Sequence, residues 1–392
     1  MTFSLAPSTS GGVEVADLSA CAQEPIHVPG AIQPHGALLV CRLPDWRVEN
    51  VSANVGAVLG VETDQALGAQ LRDLTSADLA HDVSNLVQTA AASGSAERAA
   101  RVPFRGGHVD LSAHGLGPDR AVVEITPRSP GAVGVANPIT LVKGMVGRTS
   151  RAAEMDRFLR LAAGQVRAIT GFDRVMIYRF LHDGTGEVVA EACTAGKSPY
   201  LGLRYPESDI PAQARALYMK QWLRFIPDVA YVPVPLTPER DPDGAPVDLG
   251  LASLRSVSPV HIEYLKNMGV AATLTVTLKR GDRLWGLIAC HHDAPRLLPA
   301  ETLAACELFG QIFSIQIEAK EAELRSRDLD RSRDAHDRLI AAMSPDSDIF
   351  QDLTTHAATL HDIVDCDGVG VWANGEFAGL GQTPPADAMP AL

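Results

Sequence analysis

The chain has 392 residues, 46% hydrophobic and 21% charged, which suits two or three globular domains and excludes a disordered or fibrous protein. Its 34 basic against 47 acidic residues leave a net charge of −13 with no basic run to reverse it locally, so neither nucleic acid nor anionic lipid is an expected partner. No stretch approaches the roughly 18 uninterrupted apolar residues of a membrane span, and the amino terminus lacks the basic start and apolar core of a secretory signal, so a cytoplasmic protein is expected.

Residues 1–17 are small and polar and read as a loose arm. Cys21 then opens a Pro/Gly-rich run that continues through Glu24-Pro25-Ile26-His27 to Ile32-Gln33-Pro34-His35-Gly36. The six cysteines (Cys21, Cys41, Cys193, Cys290, Cys306, Cys366) share no metal-ligand spacing and read as reduced thiols. Cys21 by itself is therefore a free nucleophile or a buried bystander. Ala37–Cys41 and Ala121–Ile125 read as strands, and the region from Gly60 through the alanine-rich stretch to Ala100 carries broken helical spacing, giving a small α+β domain over 18–128.

Pro127-Arg128-Ser129-Pro130-Gly131 marks a boundary, with 129–140 as linker and a larger domain over 141–318. A first helix is expected over Arg151–Ile169, stopped by Gly171. Strands are expected over Phe172–Phe180 and Gly186–Ala192, and the strongest hairpin signal joins Ala272–Leu278 to Leu284–His291, so the centre of this domain is an antiparallel sheet. Between the hairpins, 195–260 is rich in Pro and Gly, with one expected helix over Ala212–Phe225. Such an insertion is costly unless it wraps something. From Ala300 to about Met343 a long helix is expected, apolar to Ile317 and then almost wholly charged from Glu318 to Arg338, with 319–343 acting either as solvated connector or as dimerising signalling helix. The tail from Ile349 begins a further domain over 344–392 that reads as a truncated piece.

There is no GxxxxGK(S/T) loop, no strand-to-helix GxGxxG, no HExxH and no GxSxG, and the adjacent His291 and His292 face opposite sides of a strand, so neither a catalytic nor a metal site is expected. Within the insertion, Tyr205-Pro206-Glu207-Ser208-Asp209-Ile210-Pro211 reads on its own as a helix start capped by Ser208 or Asp209. Arg224, late on the expected helix, Arg255 beyond it, and Thr273 with Thr275 on one strand face add a second meaning. Guanidinium and hydroxyl groups converging from separate elements suit a ligand that carries carboxylates.

Four motifs in order, Cys21 with Ile32-Gln33-Pro34-His35-Gly36, Tyr205 with Ser208-Asp209-Ile210-Pro211, Arg255-x-x-Ser258-Pro259-x-His261-x-x-Tyr264, and Leu284-Trp285-Gly286-Leu287-Ile288-Ala289-Cys290-His291-His292, closely resemble the photosensory part of bacteriophytochromes. The resemblance implies a PAS domain, a GAF domain and the start of a PHY domain, each of the first two an antiparallel sheet with flanking helices. It also implies that the N-terminal segment is knotted through the GAF insertion around Ile32. The implied ligand is biliverdin IXα. Relatives from plants and cyanobacteria carry their attachment cysteine where this chain has Val260, which leaves Cys21 as the implied covalent anchor. By the same resemblance Arg224 and Arg255 offset the charge of the two propionates, with Tyr218 and Ser258 assisting at one and Thr273 and Thr275 placed for the other. His261 lies over the rings and Asp209 accepts from the pyrrole N–H groups, with Ile210 and Pro211 beside it. Met176, Tyr178, Tyr205, Tyr264 and His291 surround the D ring, Tyr205 standing where many relatives have phenylalanine.

The expected function is a red/far-red photoreceptor that signals by isomerisation of the bilin C15=C16 bond, a binding protein rather than an enzyme, and a homodimer through the GAF domain and the connecting helix. A response regulator is reached only through a histidine-kinase module beyond this chain. Because the chain stops before the PHY tongue, incomplete photoconversion is expected. A PAS–GAF sensor of another small ligand, or a dimerisation module with a dead pocket, are the competing readings.

Overall fold

The computed structural model describes residues 24–128, 134–342, 349–359, 366–373 and 375–391, so Cys21 and the expected arm lie outside the described residues. The chain divides into one unit ending at Ile315 and a second beginning at Gln316. No described helix is long and apolar enough to cross a membrane, and no described group of His, Cys, Asp or Glu could hold a metal ion.

The first unit opens with β1 (Ala31–Ile32), β2 (Ala37–Arg42) and β3 (Arg47–Ser52), followed by three short helices, α1 (Val55–Leu59), α2 (Thr63–Ala66) and α3 (Leu71–Leu74), and by α4 (Ala77–Ser93). Ser76 caps α4 by accepting from the Leu79 N–H at 3.1 Å, and Gly94, left-handed at φ 69°, ends it. Alanine composition suggests helix as far as Ala100, but the chain instead enters a meander, β4 (Glu97–Phe104), β5 (Gly107–Leu116) and β6 (Arg120–Pro127). Cross-strand pairing outweighs the intrinsic preference there. Both faces of this sheet are covered. Leu39 and Cys41 of β2 enter a core under the helices, whereas Leu38 and Val40 pack against Leu236, Val247, Leu249 and Leu254 of the later insertion.

Two helices precede the second sheet. α5 (Pro138–Thr149), absent from the sequence expectation, starts on Pro138 behind Asn137, whose side chain accepts from the Thr140 N–H at 3.0 Å. α6 runs Met155–Thr170 and ends at Gly171 as expected, but it starts at Met155 rather than at Arg151. Then follow β7 (Arg174–Phe180), β8 (Gly186–Cys193), β9 (Arg204–Tyr205), α7 (Ala212–Lys220), β10 (Leu223–Ile226), β11 (Val234–Thr237), α8 (Pro259–Asn267), β12 (Ala272–Arg280), β13 (Arg283–His292) and α9 (Ala300–Ala342). The six-stranded sheet has the order β10-β12-β13-β7-β8-β9, antiparallel at each pairing.

The expected helix through Phe225 is corrected: it stops at Lys220. Gln221 is extended (φ −113°, ψ 143°), and Leu223-Arg224-Phe225-Ile226 pairs with Val276 to Thr273 of β12. Sheet pairing at a free edge wins over continuation of α7, and Arg224 is consequently a strand residue. On the opposite face of β12, Leu274, Val276 and Leu278 are buried, and Gly310 of α9 lets the helix approach; a Cβ there would lie 2.4 Å from Val276 Cγ1. Phe313 of α9 stacks on Phe158 of α6 with ring centres 4.7 Å apart.

The N-terminal segment lies between two limbs of the insertion. β1 pairs with β11 on one side, Ile32 opposite Val234, and β11 pairs onward with β3, so that a seven-stranded sheet results. On its other side Ile32 bridges to Arg255, the Gln33 N–H donates to the Leu254 carbonyl at 2.7 Å, and the Ser256 N–H donates to that of Ala31 at 3.0 Å. Ile32 is fully buried at this crossing.

The second unit contains the remainder of α9, then α10 (Ile349–Thr355) and an antiparallel pair, β14 (Gly368–Ala373) and β15 (Glu376–Gly381).

Candidate functional site

A cavity enclosing about 1110 Å3 of non-atom space, part of it continuous with solvent, lies between α7, α8, the threonine face of β12 and the insertion. The six-stranded sheet gives one wall. Alternation along β12 turns Thr273 and Thr275 toward the cavity while Leu274 and Val276 face the core. Tyr218 of α7 lies against this wall and bonds Thr275; burial raises its phenol pKa.

Arg224 and Arg255 line the same end. The Arg224 guanidinium donates to the carbonyls of Arg255 (2.6 Å), Ser256 (3.2 Å) and Ser253 (3.3 Å), and Arg255 donates to the carbonyl of Ile26 at 2.6 Å while its Nε, buried, has no partner among the described residues. Neither forms an ion pair with a described carboxylate. Burial lowers both pKa values, that of Arg255 well below the usual range with Arg224 repelling it further. Two desolvated positive charges on one cavity wall are costly on their own and favour an anion there.

α8 supplies the roof. Pro259 occupies its first turn, and the three-residue spacing puts His261 and Tyr264 on one face, their rings nearly parallel at 6.1 Å. Burial, then the positive Arg224, pushes His261 down to about 4, so it is neutral at pH 7. Ser258 faces the cavity and donates to Glu24 at 2.6 Å. At the far end Tyr264 donates to the Asp209 carboxylate at 3.3 Å, and burial raises the Asp209 pKa.

The expected cap at Ser208 or Asp209 is corrected. Glu207–Asp209 forms a 3₁₀ turn, Pro211 stands at the N-cap of α7, and no side chain caps that helix. Arg215 pins the turn instead, donating to the Ile210 carbonyl at 2.6 Å and to that of Gly184 at 2.7 Å. Asp209, Ile210 and Pro211 are thereby held at the cavity rim.

Four of the expected residues lie beside the cavity rather than on its wall. Met176, Tyr178 and Tyr205 pack into an adjoining cluster that reaches the cavity through Ile210 and Tyr218. Two glycines make this packing possible, because a Cβ on Gly186 would overlap the Tyr178 ring and one on Gly286 would lie 2.2 Å from the Tyr178 carbonyl oxygen. His291 of β13 stands opposite Thr273 in the ladder and is pushed to about 4 by burial, Arg174 and His261. Cys21 lies outside the described residues.

Sequence reasoning missed Glu24, whose signal was its place three residues after Cys21 in the Pro/Gly-rich run. It also missed Glu124, a lone charge in the otherwise apolar strand Ala121–Ile125.

Family models match three successive regions: a PAS fold over 21–128, a GAF domain over 154–320 and a phytochrome region over 332–392. The chain is 38% identical to cyanobacterial phytochrome B of Nostoc sp., over 96% of this chain and 50% of that protein. It is 37% identical to a bacteriophytochrome of Xanthomonas campestris pv. campestris, over 95% and 59%. Among solved structures, that of bacteriophytochrome RpBphP3 from the photosynthetic bacterium R. palustris matches with a TM-score of 0.80 and 33% identity, covering 95% of this chain and 76% of that one. The chain spans about half the length of the curated relatives it matches.

Proposed function

The chain belongs to the bacteriophytochrome family, and on that premise we propose that it is the light-sensing part of a red/far-red photoreceptor, holding biliverdin IXα by a thioether to Cys21. The observation that carries the reading is the pair of buried guanidinium groups, Arg224 and Arg255, facing one cavity without a described carboxylate partner. A ligand with two propionates supplies the missing negative charge.

In this reading Arg224 and Arg255, with Tyr218 and Ser258, bind one propionate, and the Thr273 and Thr275 hydroxyls the other. Glu24 holds Ser258 in the absence of ligand and is displaced from it by the carboxylate. Neutral His261 covers the rings. The Asp209 backbone carbonyl, fixed by the turn that Arg215 pins, accepts from pyrrole N–H groups and keeps them protonated. Tyr264 on the cavity wall, with Met176, Tyr178, Tyr205 and His291 behind it, surrounds the D ring. Biliverdin supplies the red absorption and the photoisomerisable C15=C16 bond. The protein's part is to hold one end of the ligand rigidly and to let the Tyr264–Asp209 contact at the other end rearrange. The domains are a PAS domain over 18–128 with Ile32 at a threaded crossing, a linker over 129–140, a GAF domain over 141–318, a connecting helix over 319–343 and a PHY region from 344, in a cytoplasmic homodimer.

Purified protein mixed with biliverdin should develop a red absorption band and, on a denaturing gel, zinc-induced fluorescence. Cys21→Ser should abolish the fluorescence and leave reversible pigment binding. No red band overturns the ligand, and fluorescence surviving Cys21→Ser overturns the anchor.

A further inference from the structure

The arginines of the cavity are aimed by backbone, and that backbone is held from the other sheet. Arg224 donates to the carbonyls of Ser253, Arg255 and Ser256, so the limb 253–256 fixes its guanidinium and carries Arg255 itself. On the side away from the cavity, Glu124 of β6 accepts from the N–H groups of that limb with both carboxylate oxygens, Ser253 at 3.0 Å and Leu254 at 2.6 Å. Glu124 is 2% exposed.

A buried carboxylate without a cationic partner is expensive unless something uses it. The adjacent Val123 and Ile125 enter the core under the helices and Val122, two residues before, enters the core on the other side of the sheet, so packing does not require an acid at this position. The geometry offers a use: two charge-assisted bonds in parallel fix both the position and the rotation of one peptide segment. Gln33 completes the clamp, its N–H donating to the Leu254 carbonyl at 2.7 Å and its side chain to that of Phe225 in β10 at 3.1 Å.

We infer that Glu124 is a positioning residue of the chromophore site: from the PAS sheet it fixes the limb 253–256 and so sets the orientation in which Arg224 and Arg255 meet the ligand's carboxylate. This inference rests on the biliverdin reading above. It makes the affinity for an anionic ligand depend on a residue that does not touch the cavity bound by those arginines.

The test uses Glu124→Gln, which keeps the shape but places an amide NH2 against one of the two N–H donors. Without ligand, hydrogen–deuterium exchange of the segment 250–258 should accelerate by about tenfold, the measure of one lost charged hydrogen bond. Biliverdin affinity, titrated by the red band in the Cys21→Ser background where binding is reversible, should fall by about tenfold. When Arg224→Ala and Arg255→Ala are both also present, Glu124→Gln should cost no more than about twofold, because the groups it aims are gone. An equal loss in both backgrounds overturns the inference, since Glu124 would then act on the pocket in general. Unchanged exchange or unchanged affinity also overturns it. Should Glu124→Gln not fold, Glu124→Asp is read in the same three ways, its shortened side chain being unable to reach both N–H groups without moving the limb. Absence of a red band in the parent protein would sink the biliverdin reading, while the exchange measurement would still decide whether Glu124 holds the limb.

Discussion

Arg255 is a residue whose presence costs the empty protein stability. Its guanidinium is buried with Nε unpartnered, beside a second buried guanidinium, and the only bond described for its terminal nitrogens goes to the carbonyl of Ile26. Replacing such a charge with an apolar side chain of similar length is commonly neutral or stabilising. Arg255→Met should therefore leave the ligand-free protein as stable as the parent or more stable, by about 1–2 kcal/mol, while weakening biliverdin at least tenfold; thermal melts with and without pigment separate the two effects. Titration gives a second residue-scale prediction. His35, His114, His261 and His291 are all pushed to about 4, mainly by burial. A histidine depressed in the folded state contributes stability that is full above its unfolded value near 6.5 and is lost as pH falls toward 4, because in that window only the unfolded chain takes up the proton. Unfolding free energy should thus decline from pH 6.5 to 4. His114 is buried away from the cavity among Asp248, which raises its pKa, and Arg98, which lowers it. His114→Gln should flatten that decline by about one proton, roughly 1.4 kcal/mol per pH unit; denaturant melts at successive pH values measure it, and an unaltered slope would refute the assignment.

Elements with an alternating pattern and turn signals at both ends were legible in the chain. The hairpin of β12 and β13 turns at Gly281-Asp282 and β7 and β8 pair as expected, because inward and outward residues of a half-buried strand differ at every step. Illegible elements are those decided by partners far along the chain. Leu223–Ile226 continues an amphipathic-looking helix in sequence and becomes a strand only because the edge of β12, about fifty residues later, is free to pair. Glu97–Phe104 is alanine-rich and yet a strand for the same reason. At the site, residue types were readable where the chemistry is uncommon, as with Arg224, Arg255, Thr273 and Thr275 converging from separate elements, whereas Asp209 read alone as a helix cap and His261 was picked out only by the family resemblance. The support beneath them was not. The carbonyl cage of Arg224 uses backbone atoms, which carry no signature in side-chain sequence, and Glu124 acts across about 130 positions.

At the scale of the whole molecule, the first unit is stitched by contacts that each join distant segments, β1 between β11 and the 254–256 limb, and Arg120 of β6 paired with Asp241 of the insertion at 2.6 Å. Several large aliphatic side chains remain outside this packing, and two of them lie on helices away from the insertion: Ile139, on the first turn of α5, is 72% exposed, and Ile315, on α9, is 69% exposed. Each burial of such a side chain is worth about 1.5–3 kcal/mol, and a two-fold interface counts every contact twice because the same patch meets itself. The proposed homodimer accordingly predicts that Ile139→Glu and Ile315→Glu, made separately, each shift the light-scattering mass from dimer toward monomer at micromolar protein. Both positions lie away from the cavity, so the red band with biliverdin should persist in both variants. A parent chain already monomeric at that concentration would refute the dimer. Variants that stay dimeric would place the contact elsewhere and leave these two residues without a role in assembly.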